Sequence, residues 1–261
     1  MSEEKKSTPY EQLRDYKFYK GKQEAKKISA SQCGAPLLQL YLSQTCKVVD
    51  GPNSFSKATI GSIAHRGMEE LIEGEHLEKE IAMERMLPNG WKITGTSDLI
   101  DHENKVVIDY KFEMNYAYRM HFKEGPDASY NMQGACYSWL CHDNDLSVSP
   151  HPINLDYEFH IMSFITDHSP IKKDHPAEAI QVTQMPIHDN YNFQEIMFHK
   201  TNELESHINT GVPPPECDDV WWRSVNGKKV RTRCEFYCKY KDVCPYVTTH
   251  STQAANVASW G

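Results

Sequence analysis

The segment from Gly95 to Lys111 constrains the fold more than any other part of this 261-residue chain. It predicts two short strands joined by a polar turn at residues 101–105, and the second strand ends in Asp109, one spacer and Lys111. Residues two apart on a strand point to the same face, so Asp109 and Lys111 project together. Asp98 can reach both side chains from the neighbouring strand.

The chemistry of these three side chains follows from their charges. Two close carboxylates repel each other, and a divalent cation relieves that repulsion. A lysine beside them can orient a water molecule or balance charge that develops on a phosphate. Asp-x-Lys is also common as a solvated ion pair, but the apolar run Val106–Ile108 is typical of a buried strand, whose end lies at the rim of a sheet. The pattern therefore favours metal-assisted phosphodiester cleavage.

Two predicted helices supply further polar side chains. Apolar residues at helical spacing predict a helix over residues 58–75, with His65 early in it as a candidate metal ligand. A second helix is predicted over 129–141, where Gln133 and Tyr137 are four apart and share one face. Both can hydrogen-bond a phosphate or a base edge, and the alternative is that they are polar residues at the rim of a core helix.

In chain order these motifs are Gly-x-x-x-His, Gly-x-x-Asp, hydrophobic-Asp-x-Lys and Gln-x-x-x-Tyr. Their order and spacing resemble the PD-(D/E)XK nuclease superfamily. Within it the chain is similar to the RecB-like exonuclease branch, which includes the CRISPR-associated iron–sulfur nuclease and phage-encoded relatives. The resemblance extends from about Ile28 to Tyr246. It implies an α/β fold, with a restriction-endonuclease-like core in which helices flank a central mixed β-sheet.

The resemblance also implies roles for individual residues. The catalytic metal, Mg²⁺ or Mn²⁺, would be bound by His65, Asp98, Asp109 and the backbone carbonyl of Tyr110. Lys111 would assist the attacking water. The helical pair, Gln133 and Tyr137, would support DNA placement. Many relatives carry Glu at the position of Asp109, and the shorter arm is expected to alter metal preference without abolishing binding.

The cysteines form a second candidate site. Residues 1–27 are charged and contain no apolar segment typical of a signal peptide, so a reducing, cytoplasmic environment is expected and disulfides are not. Cys234, Cys238 and Cys244 are close enough in sequence to share a metal or cluster at small entropic cost. Cys217 is the nearest candidate for a fourth ligand and Cys33 is the alternative. Four thiolates suit structural Zn²⁺ or a [4Fe–4S] cluster, and the resemblance favours the cluster.

Charge is unevenly distributed along the chain. The net charge of −8 argues against a generally basic protein but does not exclude DNA binding. Cations follow the candidate active-site strand and precede the cysteines. The candidate phosphate contacts are Arg119, Lys123, Lys228, Lys229, Arg231 and Arg233.

The remaining sequence predicts a simple organisation. The predicted regions are a charged lead-in (1–27), a nuclease core (28–211), a cysteine-rich module packed on the core (212–248) and a flexible tail (249–261). Besides the two helices above, helices are predicted over 28–46 and 190–209. Strands are predicted near 79–87, 91–101, 105–112 and 155–167, and a loop over 170–178.

The function predicted from the sequence is a metal-dependent DNA nuclease, more consistent with an exonuclease than an endonuclease, acting in DNA processing, recombination or repair and related to phage proteins. A DNA-binding or assembly protein that keeps the nuclease fold without cutting is one alternative, and a structure-specific endonuclease is another. No apolar run has the length of a membrane span, so no membrane partner is expected. DNA is the expected partner. The sequence leaves open whether a helicase, a recombinase or a single-strand-binding protein acts with it.

Overall fold

A mixed β-sheet with helices packed against it forms the body of the chain in the computed structural model. The structure describes residues 25–46, 52–122, 128–141, 157–185, 192–218, 222–225, 228–231, 233–234 and 238–247. The helices are Leu37–Thr45 (α1), Pro52–Leu71 (α2), Asn115–Phe122 (α3), Ala128–Cys141 (α4) and Phe193–Thr210 (α5). The strands are Lys27–Ser29 (β1), Leu77–Met86 (β2), Lys92–Asp101 (β3), Val106–Glu113 (β4), Glu158–Ile165 (β5), Ile180–Gln184 (β6), Trp222–Val225 (β7) and Lys228–Arg231 (β8).

The sheet has the strand order β1-β3-β4-β5-β6, and β2 also pairs with β3. β1 runs parallel to β3 and β4 parallel to β5, while the other neighbours are antiparallel. This arrangement is the central mixed sheet flanked by helices that the sequence predicts. β2 pairs with β3 from Lys92 to Asp101, but β4 pairs with β3 only from Leu99 to Asp101. The two central strands therefore diverge on the side of Leu99 where Asp98 lies.

Two tight turns set the register of these strands. In the turn between β2 and β3, Gly90 has φ +80°, and the Leu87 N–H donates to the Trp91 carbonyl at 2.7 Å. Glycine adopts this left-handed conformation without steric cost. In the turn between β3 and β4, the Asn104 N–H donates to Asp101 Oδ1 at 2.9 Å. These local bonds bring β2, β3 and β4 together as neighbours, as the sequence predicts.

Apolar side chains from the sheet and from α1, α4 and α5 form the core. The side chains that are almost fully buried include Ile28, Leu40, Trp91, Ile93, Ile100, Ile161, Met197 and Leu204. Trp91 also donates its indole N–H to Glu205 Oε2 on α5 at 3.2 Å. Burial of apolar area is the main stabilising contribution in a fold of this size, so this core holds the strands that carry the candidate site.

The helix predicted over 28–46 is wrong in its first part. Residues 27–29 form β1, a 3-10 turn follows, and α1 begins only after Pro36. A residue before proline is disfavoured in the helical region, which explains the late start. The helix predicted over 58–75 instead begins at Pro52 and ends at Leu71, so His65 lies late in α2 rather than early.

Other expectations agree more closely with the structure. α5 ends, as predicted, beside Gly211, which has φ +68°. β6 and the β7–β8 hairpin were not expected from the sequence. The predicted lead-in is described only from residue 25, and the predicted tail (249–261) lies outside the described residues. None of the helices that the structure describes combines the length and the hydropathy that a membrane crossing requires.

Candidate active site

Asp98 lies at the point where β3 and β4 diverge. Its side chain is buried, with the whole residue 8% exposed. Pairing of β3 with β4 ends at Leu99 and Ile108. Beyond this pair, the Tyr110 N–H donates a hydrogen bond to Asp98 Oδ2 at 2.5 Å. The other oxygen, Oδ1, is 3.1 Å from His65 Nδ1 on α2. Asp98 therefore joins β4 to α2 through its two carboxylate oxygens.

Asp109 and Lys111 project to the same side of β4, as expected. Asp109 is 4% exposed, and its Oδ1 accepts a hydrogen bond from Gln133 Nε2 at 2.9 Å. The Lys111 ammonium forms an ion pair with Asp109 Oδ2. Asp109 Oδ2 is buried and has no hydrogen-bond partner among the described residues. The Lys111 ammonium is the positive charge that faces it. A buried carboxylate oxygen without a hydrogen bond is unfavourable unless a cation is close to it.

The electrostatics of the carboxylates reflect this burial. Desolvation raises the pKa of Asp98, and the nearby charge of Asp109 raises it further. The Tyr110 N–H, His65 and Lys111 act in the opposite direction. Burial together with the charge of Asp98 also raises the pKa of the Tyr110 phenol to about 12. Concentrated negative charge in a poorly hydrated position is the condition that a divalent cation relieves.

Glu80 on β2 is a functional candidate that the sequence analysis missed. Lys79 pairs with Leu99 and Ile81 with Ser97, so Glu80 lies opposite Asp98, and its backbone has φ +51°. His65, Glu80 and Asp98 each place a ligand atom within 4.8 Å of the others. A signal was present in the sequence, because counting equally in both directions from Asn89 in the β2–β3 turn pairs Glu80 with Asp98.

Glu80 is exposed on the solvent side of this group, and its surroundings are acidic. Partial burial raises its pKa, and the charges of Asp98 and of Glu69 on α2 raise it further. The Glu69 side chain lies beside that of Glu80. His65 is held close by aromatic contacts, with ring centroids 6.0 Å from Tyr110 and 5.5 Å from Phe112. These contacts orient the imidazole towards the carboxylates.

The match to known families decides what kind of fold carries this site. The model of the PD-(D/E)XK nuclease superfamily matches residues 74–245. The chain belongs to the PD-(D/E)XK nuclease superfamily. The matched residues include Glu80, Asp98, Asp109 and Lys111, whereas His65 precedes them.

Several solved structures are similar to this chain, and the structure of SSO0001 shows the same fold. The crystal structure of SSO0001 has a TM-score of 0.50 and 16% sequence identity, with 86% of this chain and 88% of that chain covered. The alkaline exonuclease LHK-Exo from Laribacter hongkongensis has a TM-score of 0.46 and 11% identity, covering 71% and 91%. A phage-related exonuclease from Haemophilus somnus has a TM-score of 0.39 and 12% identity, covering 71% and 96%. No curated protein matches the chain in sequence.

The two helical residues of the Gln-x-x-x-Tyr motif are buried in this nuclease-superfamily fold. Gln133 holds Asp109, and the Tyr137 hydroxyl donates to the Thr96 carbonyl on β3 at 2.6 Å. Gly95 permits this packing, because a Cβ there would lie 2.9 Å from Tyr137 Cε1. Both side chains therefore hydrogen-bond the protein itself and position the acidic strands, and their support of DNA placement stays a prediction.

The predicted phosphate-binding cations that the structure describes contact other parts of the protein. Arg119 pairs with Asp174 at 3.0 Å, and Arg231 forms an ion pair with Glu216. Arg233 lines a pocket with the C-terminal cysteines. Lys123 lies outside the described residues, and only the backbone of Lys228 and Lys229 is described in β8. Phosphate binding by all six cations stays a prediction.

The C-terminal cysteines converge on one pocket. Cys217, Cys234, Cys238 and Cys244 line it together with Leu38, Gln39 and Leu42 of α1. Burial raises the pKa of Cys217, and the neighbouring Cys238 raises it further, to about 11. Ionisation of one thiol is unfavourable beside another negative charge.

Cys33 lies elsewhere, in the core. It is fully buried, donates its thiol to the Ser29 carbonyl at 3.4 Å and contacts Cys136. Cys136 and Cys141 are also buried, as expected for small apolar residues. The four C-terminal cysteines line this pocket and Cys33 does not, and their role as metal ligands stays a prediction.

Proposed function

We propose that the protein is a divalent-cation-dependent deoxyribonuclease that acts as an exonuclease. The observation that carries the proposal is the assembly of Asp98, Asp109 and Lys111 at the divergence of β3 and β4, with His65 3.1 Å from Asp98. Membership of the nuclease superfamily supports phosphodiester hydrolysis, and the resemblance of the motifs to the RecB-like branch supports the exonuclease mode and DNA as substrate.

The donor set fits a divalent cation. Carboxylate oxygens, an imidazole nitrogen and a backbone carbonyl are ligands of Mg²⁺ and Mn²⁺. The buried Asp109 Oδ2, which receives no hydrogen bond from the described residues, fits a site designed for a cation. We assign His65, Asp98, Asp109 and the Tyr110 carbonyl to it. When bound, such a cation polarises the scissile phosphate and lowers the pKa of a water ligand.

The protein's own residues perform the remaining tasks. Lys111, paired with Asp109, is placed to hold the attacking water and to offset negative charge in the transition state. Gln133 keeps Asp109 in one orientation, and the Tyr110 N–H does the same for Asp98. Preorganised groups cost no reorganisation when the reaction occurs, which is why their fixed geometry favours catalysis.

The decisive experiment measures cleavage of end-labelled single- and double-stranded DNA with Mn²⁺. Asp109→Asn and Lys111→Ala should lose cleavage by at least about 100-fold while remaining folded by circular dichroism. Glu103→Gln, at an exposed position of the turn that joins the same two strands, is the matched control and should cleave normally. Cleavage of circular DNA would favour an endonuclease. DNA binding without cleavage by the wild type would favour the non-catalytic binding or assembly protein.

We further propose that the four C-terminal cysteines bind a [4Fe–4S] cluster or a structural Zn²⁺ that joins residues 212–248 to α1. The support is that all four cysteines line one pocket, together with Leu38 and Leu42. Elemental analysis together with visible absorption distinguishes the two metals, since Zn²⁺ is colourless and an iron–sulfur cluster is not. We also propose that the protein acts in DNA processing, recombination or repair, and that it is related to phage-encoded nucleases.

A further inference from the structure

One face of α4 contacts both charged side chains of the Asp109–Lys111 pair. Gln133 donates to Asp109 Oδ1 at 2.9 Å, and the Lys111 ammonium lies over the ring of Tyr130, with Nζ 5.8 Å from the ring centroid. Residues three apart on a helix are neighbours on its surface, so Tyr130 and Gln133 face β4 together. A lysine cation within about 6 Å of an aromatic centroid is attracted by the ring.

The ring of Tyr130 is itself packed by α3, the helix that follows β4. The His121 ring lies 5.0 Å from it in an edge-on contact, and the Phe122 ring lies 5.0 Å from it at 31°. The start of α3 is fixed in turn, because the Asn115 N–H donates to Asp167 Oδ1 at 2.6 Å. Tyr130 therefore presents an aromatic ring to Lys111 from a position that two helices define.

Lys111 needs more than its ion pair to stay in one place. Its ammonium is carried on a flexible four-carbon stem, and its side chain is 26% exposed. A carboxylate binds N–H groups of the ammonium and balances its charge, whereas an aromatic ring attracts the cation as a whole. The Tyr130 ring can therefore restrain Lys111 while N–H donors and positive charge remain for a water molecule or a phosphate oxygen.

We infer that Tyr130 is a positioning residue that holds the Lys111 ammonium beside Asp109 through its aromatic ring. This inference rests on the proposed function, in which Lys111 holds the attacking water, and it adds a residue to that task. Tyr130 acts through Lys111 and not on the substrate. The aromatic ring is what the role requires, and the phenol hydroxyl is not.

The first test compares variants of the full-length protein in DNA cleavage with Mn²⁺. Tyr130→Phe keeps the ring and should retain kcat within about twofold, whereas Tyr130→Leu and Tyr130→Met should lower kcat about 10-fold. KM, and DNA affinity measured with Ca²⁺, should stay nearly unchanged in all three. Tyr118→Leu is the matched control, because Tyr118 packs on Phe122 at 5.4 Å in the same aromatic group. It should lower stability and leave kcat within about twofold.

The second test measures the contact without cleavage. Urea unfolding in EDTA of Lys111→Met, Tyr130→Leu and the double variant forms a cycle, in which residues in contact give effects that do not add. The double variant should lose less stability than the sum of the two single variants. This measurement does not depend on whether the protein is a nuclease.

The outcomes separate this inference from the proposed function. An unchanged kcat in Tyr130→Leu, with cleavage by the wild type, would overturn the role of Tyr130 and leave the nuclease proposal intact. A loss in Tyr130→Phe equal to that in Tyr130→Leu would assign the effect to the hydroxyl, and an equal loss in Tyr118→Leu would assign it to packing; either overturns the inference. Without cleavage by the wild type, the nuclease proposal fails, and the cycle alone decides whether Tyr130 holds Lys111: additive effects overturn the contact and non-additive effects support it.

Discussion

The carboxylate of Asp98 replaces a strand neighbour as the hydrogen-bond acceptor for the Tyr110 N–H, at 2.5 Å. The bond can form because β3 and β4 stop pairing at Leu99. It places a buried acidic side chain between two strands and next to Asp109, where burial and the second carboxylate raise the pKa of Asp98. The carboxylates of Asp98 and Asp109 therefore repel each other, and the effect of this repulsion on stability can be measured in EDTA.

The first prediction concerns the pH dependence of stability in the metal-free protein. A carboxyl group whose pKa is raised by folding stabilises the protein below the ordinary aspartate pKa of about 3.9, and this contribution is lost as pH rises through the folded value. Asp98→Asn should therefore raise the melting temperature at pH 7 in EDTA, by about 2–4 °C for each 1 kcal/mol gained. The difference should shrink towards pH 4, and Mn²⁺ should stabilise only the wild type.

Asp101 is the matched control for this pH experiment. Burial acts to raise its pKa, but the hydrogen bonds from Asn104 prevail and the pKa is lowered. Its stabilising contribution is present at neutral pH and is lost as pH falls through the lowered value, so Asp101→Asn should reduce the melting temperature at pH 7. A lower melting temperature for Asp98→Asn as well would contradict the repulsion assigned to Asp98.

The second prediction tests the close packing of α4 on β3. A Cβ at Gly95 would lie 2.9 Å from Tyr137 Cε1 and 3.0 Å from Leu140 Cδ1. Gly95→Ala should therefore displace α4, lower the free energy of unfolding by about 1–3 kcal/mol and reduce cleavage. A Cβ at Gly67 on α2 would have no atom within 4 Å. Gly67→Ala should therefore raise the free energy of unfolding by about 0.5–1 kcal/mol. Urea unfolding of both variants provides the comparison, and a neutral Gly95→Ala would show that the helix can move without cost.

The strands around the site could be predicted because their signals are local. Alternating apolar residues bounded by Pro88-Asn-Gly90 and by Asp101–Lys105 define β2, β3 and β4 without reference to the rest of the chain. β1 could not be predicted in the same way. It has three residues, and it is a strand only because Lys27–Ser29 pairs with β3.

Contacts between distant segments were the least predictable part of the site. Asp98, Asp109 and Lys111 were found because spacing along two adjacent strands brings them together. Glu80 was missed because its role depends on the register of a third strand. Cys217 and Cys33 were both candidates for the fourth cysteine ligand from the sequence. In the fold, Cys217 lines the pocket and Cys33 lies in the core.

The third prediction concerns metal preference. Mg²⁺ favours shells made of oxygen, whereas Mn²⁺ accepts an imidazole more readily, so His65 should favour activity with Mn²⁺ over Mg²⁺. His65→Asp should reduce this preference by replacing nitrogen with oxygen. The measurement is the ratio of cleavage rates with the two metals at saturating concentration. Equal rates in the wild type, or an unchanged ratio in His65→Asp, would exclude His65 as the source of the preference.

The fourth prediction separates positioning from DNA binding. Gln133 is buried and donates to Asp109 Oδ1, so Gln133→Leu should lower kcat by about 10–100-fold and leave DNA affinity, measured with Ca²⁺, nearly unchanged. Gln194 is the matched control. It accepts a hydrogen bond of 3.2 Å from the Trp139 indole N–H and makes no contact with the carboxylates of the site in the hydrogen bonds described. Gln194→Leu should affect stability without the loss in kcat. Weaker DNA binding by Gln133→Leu with unchanged kcat would instead favour the direct contact expected from the sequence.

The last prediction distinguishes the fourth cysteine ligand. Cys217 lines the pocket shared with Cys234, Cys238 and Cys244, whereas Cys33 lies in the core beside Cys136. Cys217→Ser should therefore reduce the iron or zinc bound per chain and destabilise the C-terminal segment, because metal binding and folding are coupled in such sites. Cys33→Ser should retain the metal, although it places a hydroxyl in an apolar core and lowers the melting temperature. The measurement is metal per chain after purification under nitrogen. Metal lost from Cys33→Ser and kept by Cys217→Ser would reverse the assignment and require the turn before α1 to approach the C-terminal cysteines.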